Sequence, residues 1–316
     1  MKVLVIHTGG TIGMVQTAHG LAPKKGIVED HLFKLLRGNR IQYELDITVA
    51  DPLIDSSSIS PDDWNWITYQ ISVRYEEYDA FLIIHGTDTL AFTSAALCFA
   101  LEGLEKPVIL TGAMLPLAVQ KNDGLRNLAD ALDAIYFATP GVWVQFAGRW
   151  LHGARVYKSH SLAFDAFCSS SPNIPPRRIA DNFRRHTYQV FNVPVLTMVP
   201  GMSDNVSLTA AERADGIVLR CYGSGTLPNI PALSDALKIA QRRDIPVLAI
   251  SQCIEGGISL GTYAASTLLQ ETGAIDGRDS TVEAAYTKLL HVLSSATSER
   301  GWKDALNTSL CGEFVG

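Results

Sequence analysis

The length and charge of the chain restrict the classes of protein to which it can belong. At 316 residues it exceeds the size at which one hydrophobic core usually stops growing, so two domains are expected. The formal net charge of −6 argues against a nucleic acid partner, because such proteins need a basic face that displaces counterions. No apolar run approaches the roughly 18 residues of a membrane span, so no membrane partner is expected.

The cysteines predict neither a disulfide framework nor a metal site. They are odd in number, scattered and without C-x-x-C spacing, and we expect them to be small buried side chains. They are Cys98, Cys168, Cys221, Cys253 and Cys311. The apolar run at 2–7 is shorter than the core of a signal peptide and meets glycines, which predicts a cytoplasmic location.

The first half of the chain alternates between strand and helix patterns. Residues 2–7 predict a buried strand that ends at a glycine pair, and 27–37 show the apolar spacing of an amphipathic helix. The dozen or so residues between them predict a loop that serves as a lid. A strand is expected around 43–49, followed by a helix that Ser60 caps and Pro61 begins. Further strands are predicted at 81–84, 108–110 and 142–146, with helices at 93–101 and 125–137.

The second half begins after a change in composition. Residues 169–193 are rich in Ser, Pro, Asn and Arg and predict a linker region. The expected fold class is α/β, with a larger N-terminal domain (1–185) whose mostly parallel sheet is flanked by helices, and a smaller C-terminal α/β domain (194–316). Strands are predicted in this second domain at 195–199, 216–219 and 247–250, and helices near 232–243 and 282–293.

Four polar segments stand out after predicted strands, where open α/β sheets bind their ligands: 8–13, 55–57, 85–89 and the region of Lys158. In 8–13, TGGTIG, the glycines can turn backbone N–H groups toward a ligand and Thr11 adds a hydroxyl, but the segment fits neither the P-loop nor the G-x-G-x-x-G pattern. In 85–89, HGTDT, two hydroxyls and a carboxylate precede a predicted helix. Each segment alone could be an ordinary tight turn or helix cap, and His85 is expected to be a packed, hydrogen-bonded histidine.

Together the segments 8–13 and 85–89 resemble the signatures of bacterial-type L-asparaginases. The resemblance extends through 55–57, 111–114, 159–167 and 281–284, and so covers essentially the whole chain. Without a signal peptide, the chain is similar to the type I, cytoplasmic branch. The resemblance implies hydrolysis of the small-molecule substrate L-asparagine to L-aspartate and ammonia, without metal or organic cofactor, by a homodimer or homotetramer.

The resemblance also implies roles for individual residues. Thr11 would be the nucleophile that forms an acyl-enzyme, and Thr87 with Lys158 would form a hydroxyl–amine relay that Asp88 orients. Lys158 could act as a base only if burial favoured its uncharged amine, and without the family it would be taken for a surface lysine. The residues expected to bind substrate are Asp55, Ser56, Ser57, Thr87, Asp88, Ala113 and Glu283.

Two features implied by the resemblance concern the second half of the chain. Glu283 matches an acidic residue that helps to bind the substrate ammonium from a neighbouring subunit, although a solvated helix acid explains it equally well. Arg220 and Cys253 match residues of the regulatory asparagine site of some type I enzymes. Tyr157 and Cys221, however, stand where small hydroxyl residues would be expected, which leaves allostery open.

The loop after the first strand departs from the family pattern. Family members carry there a tyrosine that is described as assisting the nucleophile, whereas this chain has Leu21 and no tyrosine in the loop. Proton transfer from Thr11 could then depend on Thr87 and Lys158, pass to His19, or be slow. An asparaginase-like amino-acid-binding protein with weak or no turnover, or a glutamine-preferring amidohydrolase, are the alternatives. A tRNA-dependent amidotransferase subunit shares the motifs but carries an additional N-terminal domain, which counts against it.

Overall fold

The chain folds into two compact units, Met1–Arg185 and His186–Gly316. The structure, a computed structural model, describes residues 1–18, 20–38, 43–170, 174–261, 267–295 and 299–315. His19 and residues 171–173 of the predicted linker region lie outside these described residues. Within them, no helix is long and apolar enough to cross a membrane.

The first unit is an α/β layer structure. Its strands are β1 (Lys2–Gly9), β2 (Met14–Thr17), β3 (Gly20–Pro23), β4 (Glu44–Ile54), β5 (Ala80–Ile84), β6 (Leu101–Glu102), β7 (Pro107–Thr111), β8 (Gly141–Phe146), β9 (Arg149–His152), β10 (Val156–Lys158), β11 (Phe167–Ser169) and β12 (Arg184–Arg185). Its helices are α1 (Ile27–Gly38), α2 (Pro61–Ser72), α3 (Leu90–Ala100) and α4 (Gly124–Phe137).

A six-stranded sheet in the order β4-β1-β5-β7-β8-β9 forms the centre of this unit. Strands β4, β1, β5, β7 and β8 run parallel, and β9 pairs antiparallel with β8. Strands β5 and β7 are buried along their whole length, as expected for parallel strands covered on both faces. Val3 and Val5 of β1 pack with Leu32 of α1 and Leu128 of α4 in one core cluster.

The helix starts follow the capping rules. Pro61 begins α2 where its missing N–H costs nothing, and Ser60 N donates to Asp63 Oδ2 at 2.7 Å. Helix α1 carries Glu29 and Asp30 in its first turn, where carboxylates interact favourably with the helix dipole. Both helices therefore begin where the sequence predicts.

The segment predicted as a lid loop is different in the structure. Strands β2 and β3 pair antiparallel within it, from Met14↔Pro23 to Thr17↔Gly20. The hairpin is tied to the preceding turn, since Lys24 N donates to Gly13 O at 3.0 Å. The strands are too short and too exposed to show the alternating pattern by which a hairpin is recognised.

The second unit has a parallel sheet of its own, and the α/β fold class is confirmed in both units. Its strands, in sheet order, are β13 (Val195–Thr197), β14 (Ile217–Cys221), β15 (Val247–Ser251) and β16 (Ile275–Asp276). Its helices are α5 (Asp204–Arg213), α6 (Pro231–Arg242), α7 (Thr267–Glu271), α8 (Val282–Ser295) and α9 (Glu299–Asn307). The sequence analysis did not predict α5, because that segment buries little and so shows no apolar stripe.

The expectation that every cysteine is buried is wrong for two of the five. Cys98, Cys221 and Cys311 are buried, but Cys168 is partly exposed and Cys253 is exposed. Cys168 lies on the short hairpin strand β11, and Cys253 follows β15 in a loop. All five are free thiols.

Candidate active site

Four neighbouring strands of the first sheet lead into predicted site residues. In sheet order, β4 is followed by Ser56, β1 by Thr11, β5 by Thr87 and β7 by Ala113. Parallel strands present their carboxyl ends at one edge of a sheet, where α/β proteins bind ligands. The sheet therefore gathers at one edge four residues that are far apart in sequence.

Glycines let the backbones at this edge approach more closely than side chains would allow. Gly10 has φ +92°, and a Cβ added to it would lie 2.4 Å from Gly86 Cα. A Cβ on Gly86 would lie 2.4 Å from Ser56 Oγ. The TGGTIG and HGTDT segments thus touch through Gly10 and Gly86, with Ser56 packed against Gly86.

Thr11 begins a single 3₁₀ turn, Thr11–Gly13, which we call the Thr11 turn. The next residue, Ile12, is fully buried in the core, and its carbonyl accepts a hydrogen bond from Leu117 N at 3.0 Å. Thr11 itself is partly exposed. The candidate nucleophile therefore lies on a turn that is locked to the core by its neighbour yet is accessible to a ligand.

Lys158 joins two neighbouring residues of the HGTDT segment, Thr87 and Asp88. It ends β10, and its Nζ donates to Thr87 Oγ1 at 3.0 Å and to Asp88 Oδ1 at 2.8 Å. Thr87 is buried, and the side chain of Lys158 is 20% exposed while that of Asp88 is 63% exposed. Lys158 is therefore not the solvated surface lysine that its sequence alone suggests.

His85, the first residue of this segment, has a hydrogen-bond partner at each of its two ring nitrogens. Its Nδ1–H donates to Gly86 O at 2.7 Å, and its Nε2 lies 3.0 Å from Thr93 Oγ1, which also accepts from Trp64 Nε1 at 3.0 Å. Burial lowers the pKa of His85 to about 4, and the hydrogen bond to Gly86 offsets only part of that effect. The expectation of a packed, hydrogen-bonded histidine is confirmed.

The segment after β4 is fixed by two local hydrogen bonds. Asp55 Oδ1 accepts from Ser57 N at 3.0 Å, and Thr89 Oγ1 donates to Ser56 O at 2.7 Å. Ser56 is buried, whereas Asp55 and Ser57 are exposed. Thr89 precedes α3 but makes no side-chain capping bond to it. Its hydroxyl instead connects the segment after β5 to the segment after β4.

The turn that carries Ala113 is held by two residues that the sequence analysis missed. Asp123 accepts from Met114 N at 2.8 Å and from Leu115 N at 2.9 Å, while Asn127 Nδ2 donates to Gly112 O at 2.9 Å. Both polar side chains are buried. Their spacing of four residues at the start of a predicted helix was the available signal, since it puts them on one helix face.

The remaining predicted residues belong to the second unit. Glu283 lies in the first turn of α8; burial raises its pKa, and a hydrogen bond with Thr281 and the charge of Arg220 offset part of this. Arg220 lies in β14 and is partly buried. Cys253 is exposed, and its N–H donates to Ser251 Oγ at 2.9 Å. Arg220 is thus electrostatically coupled to Glu283 within this unit.

Leu21 lies in β3 opposite Gln16, with 46% of its surface exposed. Its side chain contains no group that can exchange a proton. The alternative that involves His19 concerns a residue outside those that the structure describes.

The arrangement in the first unit defines a class of protein. A partly exposed threonine on a glycine-rich turn, with a buried threonine bonded to lysine at the end of the neighbouring strand, is an arrangement typical of hydrolases that use a hydroxyl nucleophile. Among the described residues, no three His, Cys, Asp or Glu side chains converge in a group that could hold a metal ion.

Comparisons with known proteins identify the family. Residues 2–190 match the family described as Asparaginase, N-terminal, and 192–306 match the Glutaminase/Asparaginase C-terminal domain. The chain is 37% identical to L-asparaginase 1 of Escherichia coli strain K12, over 99% of this chain and 98% of that protein. It is similar in structure to the thermostable L-asparaginase from Thermococcus kodakarensis, with a TM-score of 0.90 and 33% identity over 100% of both chains. L-asparaginase I from Vibrio cholerae matches with a TM-score of 0.87 and 34% identity over 99% of both chains.

This chain belongs to the asparaginase family. The family and the type I resemblance predicted from the sequence are confirmed, since two of these relatives bear that type in their names.

Proposed function

We propose that this protein hydrolyses the side-chain amide of L-asparagine to L-aspartate and ammonia through a Thr11 acyl-enzyme. One observation carries the proposal: Lys158 binds Thr87 and Asp88 at the sheet edge where Gly86 contacts Gly10 of the Thr11 segment. The similarity to E. coli L-asparaginase 1 and to the Thermococcus enzyme supports asparagine as the substrate.

In the first chemical step, Thr11 Oγ1 attacks the amide carbon and loses its proton. The resulting oxyanion collapses, the C–N bond breaks, and the amide nitrogen leaves as ammonia with that proton. Water then attacks the Thr11 ester, which releases aspartate and returns a proton to Thr11. Backbone N–H groups near Thr11 and Thr87 would stabilise the oxyanion in both steps.

The hydrogen bonding of Thr87 supports its part in this proton transfer. A hydroxyl has one hydrogen to donate, and Thr87 Oγ1 accepts from Lys158 Nζ at 3.0 Å. The hydrogen of Thr87 must therefore point away from Lys158, where it can reach a ligand. When Thr87 gives up that hydrogen, Lys158 would supply the replacing proton along this bond.

The two charged groups of asparagine require opposite partners. The hydroxyls of Ser56 and Ser57 suit the α-carboxylate, whereas the exposed carboxylate of Asp88 suits the α-ammonium. We further infer that Glu283 of a second copy binds that ammonium, which makes the protein a homo-oligomer, and that the enzyme acts in the cytoplasm. Asp55 and Ala113 would shape the site from the flanking turns.

The test is ammonia release from asparagine and from glutamine by the wild type, Thr11→Ala and Thr209→Ala. Thr209 is an exposed threonine of α5 and serves as the matched control. We expect Thr11→Ala to lose at least about a thousandfold in kcat while the control keeps the wild-type rate. Full activity of Thr11→Ala would refute the mechanism.

The same assay decides between the substrates and tests the alternative that Leu21 motivates. Faster ammonia release from glutamine would replace asparagine by glutamine as the assigned substrate. An assay is needed because a pocket discriminates between two ligands that differ by one methylene by only about 1–3 kcal/mol. Calorimetric binding of asparagine by a wild type that forms no ammonia would instead indicate an amino-acid-binding protein with lost turnover.

A further inference from the structure

A hydrogen bond between a buried histidine and a partly buried glutamate lies beneath the Thr11 turn and takes no part in the proposed chemistry. His7, in β1, is fully buried, and its Nδ1 lies 2.9 Å from Glu29 Oε1 in the first turn of α1. Burial, the largest single influence, would raise the pKa of Glu29, but the hydrogen bond with His7 and backbone hydrogen bonds in the first turn together outweigh it and lower that pKa. Glu29 is therefore a carboxylate, and Nδ1 of His7 carries the proton.

This hydrogen bond fixes which edge of the imidazole faces the Thr11 turn. A Cβ built on Gly13 would lie 3.5 Å from both Cε1 and Nε2 of His7 and 3.3 Å from Val28 Cγ2. Gly13 thus faces the Cε1–Nε2 edge of the ring, which adjoins the Nδ1 that is bonded to Glu29. The ring therefore lies next to the last residue of the turn, at a distance that an added methyl group would bridge in ordinary van der Waals contact.

The second nitrogen of His7 has no partner within the described part of the chain. Nε2 is buried and makes no hydrogen bond there, and the same holds for Glu29 Oε2. An unpaired buried polar atom costs free energy, whereas an apolar side chain at position 7 would avoid the cost. Core packing alone therefore does not explain a histidine here, and the directional Nδ1–H bond is what this residue adds.

Both backbone polar groups of Gly13 are hydrogen-bonded. Its N–H donates to Gly10 O at 3.2 Å, and its carbonyl accepts from Lys24 N at 3.0 Å after the hairpin. Movement of Gly13 would shift Thr11, two residues earlier in the same turn. A displacement of Gly13 would thus be transmitted to the candidate nucleophile.

We propose that His7 and Glu29 form a positioning pair for Thr11. The Glu29 carboxylate orients the His7 ring, and the edge of the ring limits how far the backbone of the turn can move toward α1 at Gly13. A carboxylate that fixes a histidine behind a reactive group is a recurrent means of holding catalytic geometry. The inference rests on the proposed asparagine hydrolysis.

The experiment compares Glu29→Met, Glu29→Gln and His7→Phe with wild type, with His31→Gln as the matched control. His31 lies on the same helix, but its Nδ1 bonds to Ile27 O of that helix at 2.8 Å and not to the turn. Glutamine keeps an acceptor for His7, whereas methionine fills the space without one. We measure kcat and KM for asparagine at 25 °C and confirm folding by thermal unfolding.

We expect Glu29→Met and His7→Phe to lower kcat by about tenfold to a hundredfold with KM within about twofold, because a misplaced nucleophile slows the chemical step more than binding. Glu29→Gln should keep kcat within about threefold of wild type, and His31→Gln should leave it unchanged. Folded Glu29→Met and His7→Phe proteins with wild-type kcat would overturn the positioning role, as would an equal loss in His31→Gln. A wild type that releases no ammonia would instead overturn the proposed function, and this inference with it.

Discussion

Acidification from pH 6.5 to pH 4 should destabilise the native protein through one buried side chain, His85. Its neutral form is built into the fold: Nδ1 donates to Gly86 O, and Nε2 can accept from the Thr93 hydroxyl that receives Trp64 Nε1–H. A proton on Nε2 would turn that acceptor into a donor inside the core. The histidine must therefore stay neutral for the HGTDT segment to keep its position.

The magnitude follows from the two pKa values. The pKa of His85 is about 4 in the folded protein against 6.5 ordinarily, so between these values the unfolded chain binds a proton that the native chain does not. Above pH 6.5 neither state binds it, and the full stability is present. Each pH unit below that value costs about 1.4 kcal/mol, so about 3 kcal/mol of unfolding free energy is lost by pH 4.

The assay is urea unfolding of the wild type and His85→Asn from pH 7 to pH 4, with the exposed His160→Asn as the control for a lost histidine. Asparagine keeps a donor for Gly86 O but cannot be protonated. The wild-type stability minus that of His85→Asn should fall by about 3 kcal/mol toward pH 4. A difference that does not change with pH would refute the reasoning, as would a His85 resonance that titrates near pH 6.5 in NMR of the wild type.

Two further predictions concern the Thr11 segment. Leu21→Tyr should raise kcat by about tenfold or more if the missing phenol limits proton transfer, and equal rates for Leu21→Tyr and Leu21→Phe would contradict this. Gly10→Ala should lose about 2 kcal/mol or more of unfolding free energy together with most activity, because its Cβ would lie 2.4 Å from Gly86 Cα. Gly20→Ala is the control, since it has a similar positive φ of +109° but nothing within 4 Å of the added Cβ; equal effects of both substitutions on stability and kcat would refute the close-contact argument.

Much of the fold could be predicted because its signals are local. The buried strands β5 and β7 are short apolar runs between polar turns, and α2 begins at the proline that follows its capping serine. The β2–β3 hairpin and α5 could not be predicted, because both are largely exposed and their residues lack the periodic apolar pattern that burial imposes.

The candidate site likewise contains some residues that the sequence predicts and others that it does not. Thr11 and Thr87 could be selected from the sequence because both follow predicted parallel strands, and strand ends are where such sheets bind ligands. Asp123 and Asn127 could not, because their partners are backbone groups of the turn that follows β7. Their four-residue spacing puts both on one helix face, but nothing in it names the distant turn that they hold.

The sequence by itself determined the alternation of strands and helices, the glycine turns at the strand ends and the resemblance to the asparaginases, since each depends on residues near one another in the chain. Only the tertiary structure decided that Lys158 meets Thr87 across 71 positions, and that His7 and Glu29 form a pair beneath the Thr11 turn. The physical reason is that such contacts depend on how closely separate backbones approach. At this edge of the sheet, that approach depends on the missing side chains of Gly10 and Gly86.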